Sequence, residues 1–387
     1  MLTVPAKVLV LATEDWFVLS HFRPVLDVLR DLGCGIVVVT NSTGRFAEIE
    51  RFGAKPIAFD FQRSSLFSLA QWSTTQALCK IIRKEKPYAV HAIGLKPMTL
   101  AALALKLTGH RPAVIHLTGL GQLAINASMT ASLARRMALT LIRGLAARPT
   151  TVVLAENSDD LGWLIGHAAW SDPQRTMIIP GAGVDPDDFL PSPQPDNTLP
   201  TLAFVGRMIH SKGVSVLVEA FHHVHSRGMK VRLDLYGAPD PGNAASISSD
   251  LLANWQQIKG IHWHGHTSEI ASVWRHADIC VVPSLGGEGM PRAMLEAATS
   301  ARPLIVTDVP GARHFVRHGV EGLVVPPDNA LALAEAIIQL ISSPEKRTTM
   351  GLAARKRVLD AFTVAHVQQT LREAYDKVGI VGRAVES

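Results

Sequence analysis

Three cysteines in 387 residues, Cys34, Cys79 and Cys280, are too few and too widely spaced for a disulfide framework or a Cys-x-x-Cys metal site. Their scarcity points to a reducing compartment. Aromatic residues make up 6% of the chain, with 3 tyrosines, so no stacking platform for nucleic-acid bases is in view and no nucleic-acid partner is expected. No run of about 18 apolar residues occurs; the best candidate, Asn126 to Ala147, is broken by Arg135, Arg136 and Arg143, so no membrane span is expected. The apolar run Val8 to Leu11 is short and reaches Glu14 and Asp15 at once, which reads as a first buried strand rather than a signal peptide. No Gly-x-Gly-x-x-Gly follows the first strand of either half, which argues against a dinucleotide-dependent dehydrogenase.

Hydrophobic residues make up 47% and charged residues 18% of the chain, and the length suits two domains of about 150–200 residues. Charge is uneven. Residues 1–150 hold 18 Lys and Arg against 8 Asp and Glu, a net of +10, whereas residues 151–387 hold 20 against 25, a net of −5. The basic half therefore suits an anionic partner, such as a membrane surface or a lipid diphosphate. Along Asn126 to Arg148, Met129, Leu133, Met137, Leu141 and Leu145 fall on one helical stripe flanked by Arg135, Arg136, Arg143 and Arg148. That pattern fits either a core helix with a basic outer side or an interfacial helix on anionic lipid.

Short apolar runs alternate with helical patterns from Lys7 onward, the signature of parallel strands joined by crossover helices. The alternation restarts after the Pro-rich stretch 186–200. An α/β architecture of two doubly wound, Rossmann-like domains follows: residues 1–185, a linker at 186–200, residues 201–362, and a closing helix within 363–387. In such sheets ligands bind beyond the carboxyl ends of the strands, and two domains facing one another would enclose a cleft.

Two segments of the second half carry chemistry. Gly206-Arg207-Met208-Ile209-His210-Ser211-Lys212-Gly213 follows a predicted strand and precedes a helix with Leu217, Val218, Phe221 and Val224 on one face. Arg207 and Lys212 offer two cations where glycine allows close backbone approach, a suitable place to receive a leaving diphosphate. Pro283 to Ala297 places Glu288 and Glu296 eight residues apart around Gly289, Met290 and Pro291, with the proline expected in the first helical turn and backbone N–H groups available to an anion. Taken singly, these cations and acids also fit solvated surface positions. His262, His264 and His266 alternate on one strand, but no carboxylate or cysteine completes a metal site, and none is expected.

Together with Pro180 to Asp185, His264-Gly265, Ala277-Asp278, Thr307 to Gly311 and Gly319 to Asp328, these segments resemble glycosyltransferase family 4, in the order and spacing of that family. The resemblance implies the GT-B fold, with an N-terminal acceptor domain, a C-terminal donor domain and a last helix that returns to the first. It implies Glu296 on the nucleotide ribose, Glu288 near the donor sugar, Arg207 and Lys212 on the diphosphate, His264 near the base, and Gly206, Gly289 and Met290 lining the donor site. No cofactor beyond the nucleotide-sugar substrate is implied. Metal independence is expected because the cationic pair and helix mouth can take a metal's electrostatic role.

On the acceptor side the resemblance is less regular. Family members commonly carry a histidine where this chain has Thr118, and His116 two residues earlier, on the same face if the strand continues, is either the candidate substitute or a core histidine; Glu14, His91 and Lys96 are further acceptor-side candidates, Lys96 fitting a solvated helix-cap cation as well. The function implied is retaining transfer of a hexose or N-acetylhexosamine from a nucleotide sugar, with a UDP sugar as the expected donor, to a glycolipid or polyprenyl-diphosphate-linked saccharide in cell-surface polysaccharide synthesis. The enzyme would be cytoplasmic and peripheral on the inner face of the membrane. A nucleotide-sugar epimerase or hydrolase of the same fold, or a non-catalytic sugar-nucleotide-binding partner, stands as the alternative.

Overall fold

A computed structural model of the chain describes residues 6–61, 69–120, 129–166, 174–240, 242–243 and 245–380. Two compact units divide it, residues 1–182 with 365–387, and residues 183–364. The first is built on β1 (Lys7–Glu14), β2 (Gly35–Asn41), β3 (Ala54–Ala58), β4 (Ala89–Ile93), β5 (Ala113–Leu117), β6 (Thr151–Ala155) and β7 (Thr176–Ile178). They form one parallel sheet in the order β3-β2-β1-β4-β5-β6-β7.

Helices cover both faces of this sheet, which is why β4, β5 and β6 are buried along their whole length. On one face Leu9, Val37, Val90, Ile115 and Val153 pack beneath helices Leu69–Glu85, Leu95–Thr108 and Met129–Ala146. On the other, Val8, Val10, Ile36, Ala89, Ile93, Val114 and Val152 meet helix Arg23–Asp31 and the last described helix, Val364–Lys377, through Val367, Leu371, Ala374 and Tyr375.

The second unit repeats the plan with β8 (Thr201–Val205), β9 (Arg232–Tyr236), β10 (Ile261–Gly265), β11 (Ile279–Val282), β12 (Leu304–Thr307) and β13 (Gly322–Val325), parallel in the order β10-β9-β8-β11-β12-β13. Leu202, Phe204, Leu233, Ile279 and Ile305 face helices Val214–Ser226 and Ala330–Ile341. Ala203, Cys280, Val282, Leu304 and Val306 face helices Arg292–Thr299 and Pro344–Ala361.

The Pro-rich stretch at 186–200, read from sequence as a linker, is packed as part of the second unit. Phe189 is buried in its core. The Arg302 guanidinium donates to the carbonyls of Ser192 and Pro193, each at 2.9 Å, and Asn197 Nδ2 donates to Asp278 Oδ2 at 2.7 Å. A proline-rich run has few N–H groups with which to pair its own carbonyls, so side chains of the unit it crosses satisfy them instead.

Candidate functional site

In the second sheet the connection order reverses between β8 and β11, which lie side by side. That is where an open α/β sheet forms a crevice beyond its carboxyl ends. The loop after β8 holds Arg207 and Lys212, and the loop after β11 holds Glu288. Gly213, at φ +70°, locks them together: a Cβ there would lie 1.8 Å from the Pro283 carbonyl oxygen. Leu285 N–H donates to the Ser211 carbonyl at 2.8 Å.

Lys212 Nζ is consequently 2.5 Å from Glu288 Oε2, with both side chains largely covered. The other carboxylate oxygen, Oε1, accepts from Ser284 Oγ at 2.5 Å. Ser284 is itself fully buried, and its carbonyl accepts from the Thr307 hydroxyl at the end of β12. Glu288 is thus held at both oxygens, which fixes the carboxylate in direction. Sequence reasoning passed over Ser284 and Thr307, although Ser284 stands inside the motif it singled out.

Arg207 turns to Asp240, with Nη1 3.0 Å from Oδ2, and half of its side chain is exposed. Gly206 lies between β8 and β9: a Cβ on Gly237 would come within 1.8 Å of its carbonyl oxygen. On the opposite side of the crevice a Cβ on Gly311 would sit 1.3 Å from the Gly289 carbonyl oxygen, so the start of helix Pro310–Phe315 presses against the loop before helix Arg292–Thr299. Met290 is buried in the core. Pro291 is the N-cap and the helix begins at Arg292, one position later than expected.

Glu296 points inward from that helix and is almost wholly covered, its Oε1 accepting from Arg292 Nε at 2.7 Å. Burial raises its pKa, and the Arg292 charge opposes the rise; the Trp274 indole lies alongside, outside hydrogen-bond geometry. At the sheet edge His264 Nε2 is 3.2 Å from Asp234 Oδ1, and its ring stacks on Tyr236 at 4.4 Å and 9°.

Among the described residues no group of three or more His, Cys, Asp or Glu is placed to hold a metal. The chain has one Asp-x-Asp triplet, Asp185-Pro186-Asp187. It forms an exposed turn in which Asp185 Oδ1 accepts from Asp187 N–H at 3.0 Å.

In the first unit the reversal lies between β1 and β4. Glu14 ends β1 and accepts from Asn41 Nδ2 at 3.0 Å, Lys96 follows β4, and Thr118 follows β5 with its hydroxyl 3.6 Å from where a Gly94 Cβ would stand. Burial lowers the Lys96 pKa, and the Asp60 charge opposes the fall.

His91 and His116 are corrections. Both lie inside strands on the face covered by helix Val364–Lys377, fully buried, with rings 5.8 Å apart at 19°. His91 Nδ1 pairs with Tyr375 Oη at 2.7 Å, while His91 Nε2 and both His116 nitrogens have no hydrogen-bond partner. Burial pushes His116 down to about 3 and His91 well below the usual histidine range. Neither ring is exposed at the surface of the described residues. The strand period places them under the last helix, whereas Thr118, one residue past its strand, stays half-buried at the rim.

Of the proposed interfacial helix, residues 126–128 and the side chains up to Arg135 lie outside the described residues. In the remainder Ala138, Ile142 and Leu145 are buried, Arg136 and Met137 are exposed, and Arg143 is tied to the Leu164 and Trp163 carbonyls. No described helix is long and apolar enough to cross a membrane.

Family models match both sheets: one for glycosyl transferase 4-like domains over residues 7–155, and one for glycosyl transferases group 1 over residues 199–343. The chain belongs to the group 1, family 4-like glycosyltransferases. It is 32% identical to the alpha-maltose-1-phosphate synthase of Mycolicibacterium smegmatis over 54% of this chain and 58% of that protein, so the match spans little more than half of that relative's length. It is 22% identical to the N,N'-diacetylbacillosaminyl-diphospho-undecaprenol alpha-1,3-N-acetylgalactosaminyltransferase of Campylobacter jejuni, over 92% of this chain and 95% of that one. In fold it is similar to the crystal structure of Anabaena Alr3699/HepE in complex with UDP and glucose, with a TM-score of 0.75 at 20% identity over 96% of this chain and 99% of that one. The fold is GT-B, with two Rossmann-like units.

Several strings that resemble this glycosyltransferase family are scaffold here. Asp278 is buried and accepts from Thr201 N–H at 2.8 Å, fixing the start of β8. Glu321, fully buried, accepts from Arg317 N–H at 2.8 Å, and a Cβ on Gly322 would lie 2.0 Å from the Leu304 carbonyl oxygen.

Proposed function

We propose that the chain is a retaining glycosyltransferase that moves a hexose or N-acetylhexosamine from a nucleoside-diphosphate sugar, most simply a UDP sugar, to a hydroxyl of a glycolipid or lipid-linked saccharide. The observation that carries this reading is the Lys212–Glu288 pair at the β8/β11 reversal, where two loops interlock through Gly213. Lys212 and Arg207 face the leaving diphosphate and stabilise the charge it gains as the bond from the sugar C1 to the phosphate oxygen breaks. The acceptor oxygen forms the new bond to C1 on the same face, and its proton passes to the departing diphosphate. Glu288 orients the donor sugar, Glu296 takes the ribose hydroxyls, His264 lies toward the base, and Gly206 and the backbone of Gly289 and Met290 line the site. Glu14, Lys96 and Thr118 serve the acceptor.

The Campylobacter relative's name, with its diphospho-undecaprenol acceptor, and the UDP and glucose of the Anabaena structure support this substrate class. The +10 charge of residues 1–150 and the exposed Arg136 and Met137 support a peripheral place on an anionic membrane, the inner face of the cell membrane, in cell-surface polysaccharide synthesis.

Thermal melts with nucleoside diphosphates and their sugars, run in a chelator, test the donor half. One uridine compound is expected to stabilise the protein by about 2.7 kcal/mol at a hundredfold excess over its Kd. Loss of that shift on chelation, or no response to any nucleoside diphosphate, overturns the reading. NMR of the product then checks that the donor's anomeric configuration is kept.

A further inference from the structure

We propose that Asp240 is a positioning residue that aims Arg207 at the donor diphosphate. This inference rests on the donor reading above and assigns a role to a residue outside every motif that pointed to the family. The loop after β9 grips the Arg207 segment through its backbone: Met208 N–H donates to Ala238 O at 3.0 Å, His210 N–H to Ala245 O at 2.8 Å, and Ile247 N–H to Met208 O at 2.8 Å.

That loop is braced in turn. Asp240 N–H donates to Ser246 Oγ at 2.8 Å, Asn243 N–H to Asp240 O at 2.8 Å, and Ala245 N–H to Asn243 Oδ1 at 3.0 Å. Asp240 is therefore the fixed member of its ion pair: its side chain is 20% exposed against 52% for Arg207. The two meet end-on, with Nη1 3.0 Å from Oδ2.

A guanidinium presents five N–H donors in a planar fork, so one end-on contact to a carboxylate sets its direction and leaves an edge for bidentate contact with phosphate. A half-exposed pair of this kind contributes little to stability. Its consequence lies in the orientation of a long side chain that otherwise samples many rotamers before an anion arrives.

The test uses the full-length chain and UDP as probe, with calorimetric affinity and steady-state kinetics for wild type, Asp240→Ala, Asp240→Asn, Arg207→Ala and the Asp240→Ala/Arg207→Ala double variant. Asp240→Ala is expected to weaken UDP binding and raise donor KM by about 3- to 10-fold, with acceptor KM and melting temperature unchanged. Asp240→Asn, which keeps an acceptor oxygen for Nη1, is expected to stay within about twofold of wild type, and the double variant to be no weaker than Arg207→Ala alone. Tighter UDP binding by Asp240→Ala would show that the carboxylate competes with the diphosphate, and overturns the proposal. So does an unchanged Asp240→Ala, an Asp240→Asn as weak as the alanine variant, or an Asp240→Ala effect that adds in full to Arg207→Ala. If wild type fails to bind UDP, or Arg207→Ala binds it as well as wild type, the donor reading itself has failed; if those two behave as expected and only the Asp240 variants do not, this inference alone is lost.

Discussion

The two units share one plan but treat their polar residues differently. In the second, Lys212 and Glu288 stand beyond the carboxyl ends of β8 and β11 and meet at 2.5 Å. In the first, His91 and His116 stand within β4 and β5 and are sealed under the last helix. A parallel strand covered on both faces hides everything along its length, so chemistry is available only from its final residue onward. Counting from the strand ends separates the two groups: Glu14, Lys96 and Thr118 pass that test as Lys212 and Glu288 do, and the two histidines fail it.

The sharpest way to break this comparison is Lys212→Ala. If the crevice of the second unit stabilises the leaving group, transfer rate should fall by about 10²–10³-fold, as when one donor to a developing anion is removed. The melting temperature should change little. A variant retaining more than about a tenth of wild-type turnover would remove Lys212 from that role.

The first unit makes the opposite prediction, a stability effect without loss at the site. His116 has a folded pKa of about 3 because it is buried, against an ordinary value near 6.5. Between those values the unfolded chain binds a proton that the folded chain refuses, so stability is full above about pH 6.5 and falls as pH drops toward 3. The slope approaches about 1.4 kcal/mol per pH unit from this residue alone. His116→Leu should remove that share of the slope in denaturant titrations between pH 7 and pH 4, leaving the share of His91. Equal slopes for the two proteins would mean that His116 gains a proton without unfolding.

What sequence could convey follows the same division. Both sheets were legible because fully buried parallel strands read as short apolar runs such as Val8 to Leu11 and Ile279 to Val282. Lys212 and Glu288 were each singled out beside a glycine, Gly213 and Gly289, but their pairing was not legible, because the close approach of Gly213 to the Pro283 carbonyl joins two loops about seventy residues apart. Asp240 was hidden by its own surroundings: Pro239-Asp240 followed by Gly242-Asn243 carries only a turn signal, and nothing local says which distant arginine the aspartate meets. The packing of 186–200 was hidden for a related reason, since proline content predicts extended backbone and says nothing about Arg302, more than a hundred residues later. His116 could be read from sequence either as a substitute for the histidine at Thr118 or as a core histidine, because nothing local says that helix Val364–Lys377 covers that face of β5.

The smallest expected effect concerns how the last helix is held. Tyr375 reaches from helix Val364–Lys377 to His91 Nδ1 at 2.7 Å, a buried polar contact beside the apolar contacts of Val367, Leu371 and Ala374. Tyr375→Phe keeps the ring and removes the hydroxyl, leaving a buried imidazole with neither nitrogen paired, at a cost of about 1–2 kcal/mol. That loss should be local, because the helix opens more readily than the sheet beneath it. Amide exchange along Val364–Lys377 should quicken by about tenfold while β4 and β5 stay protected. Uniform acceleration through both helix and sheet would instead mean that the helix and the sheet unfold as one, and that the hydroxyl stabilises the whole unit rather than the attachment of its last element.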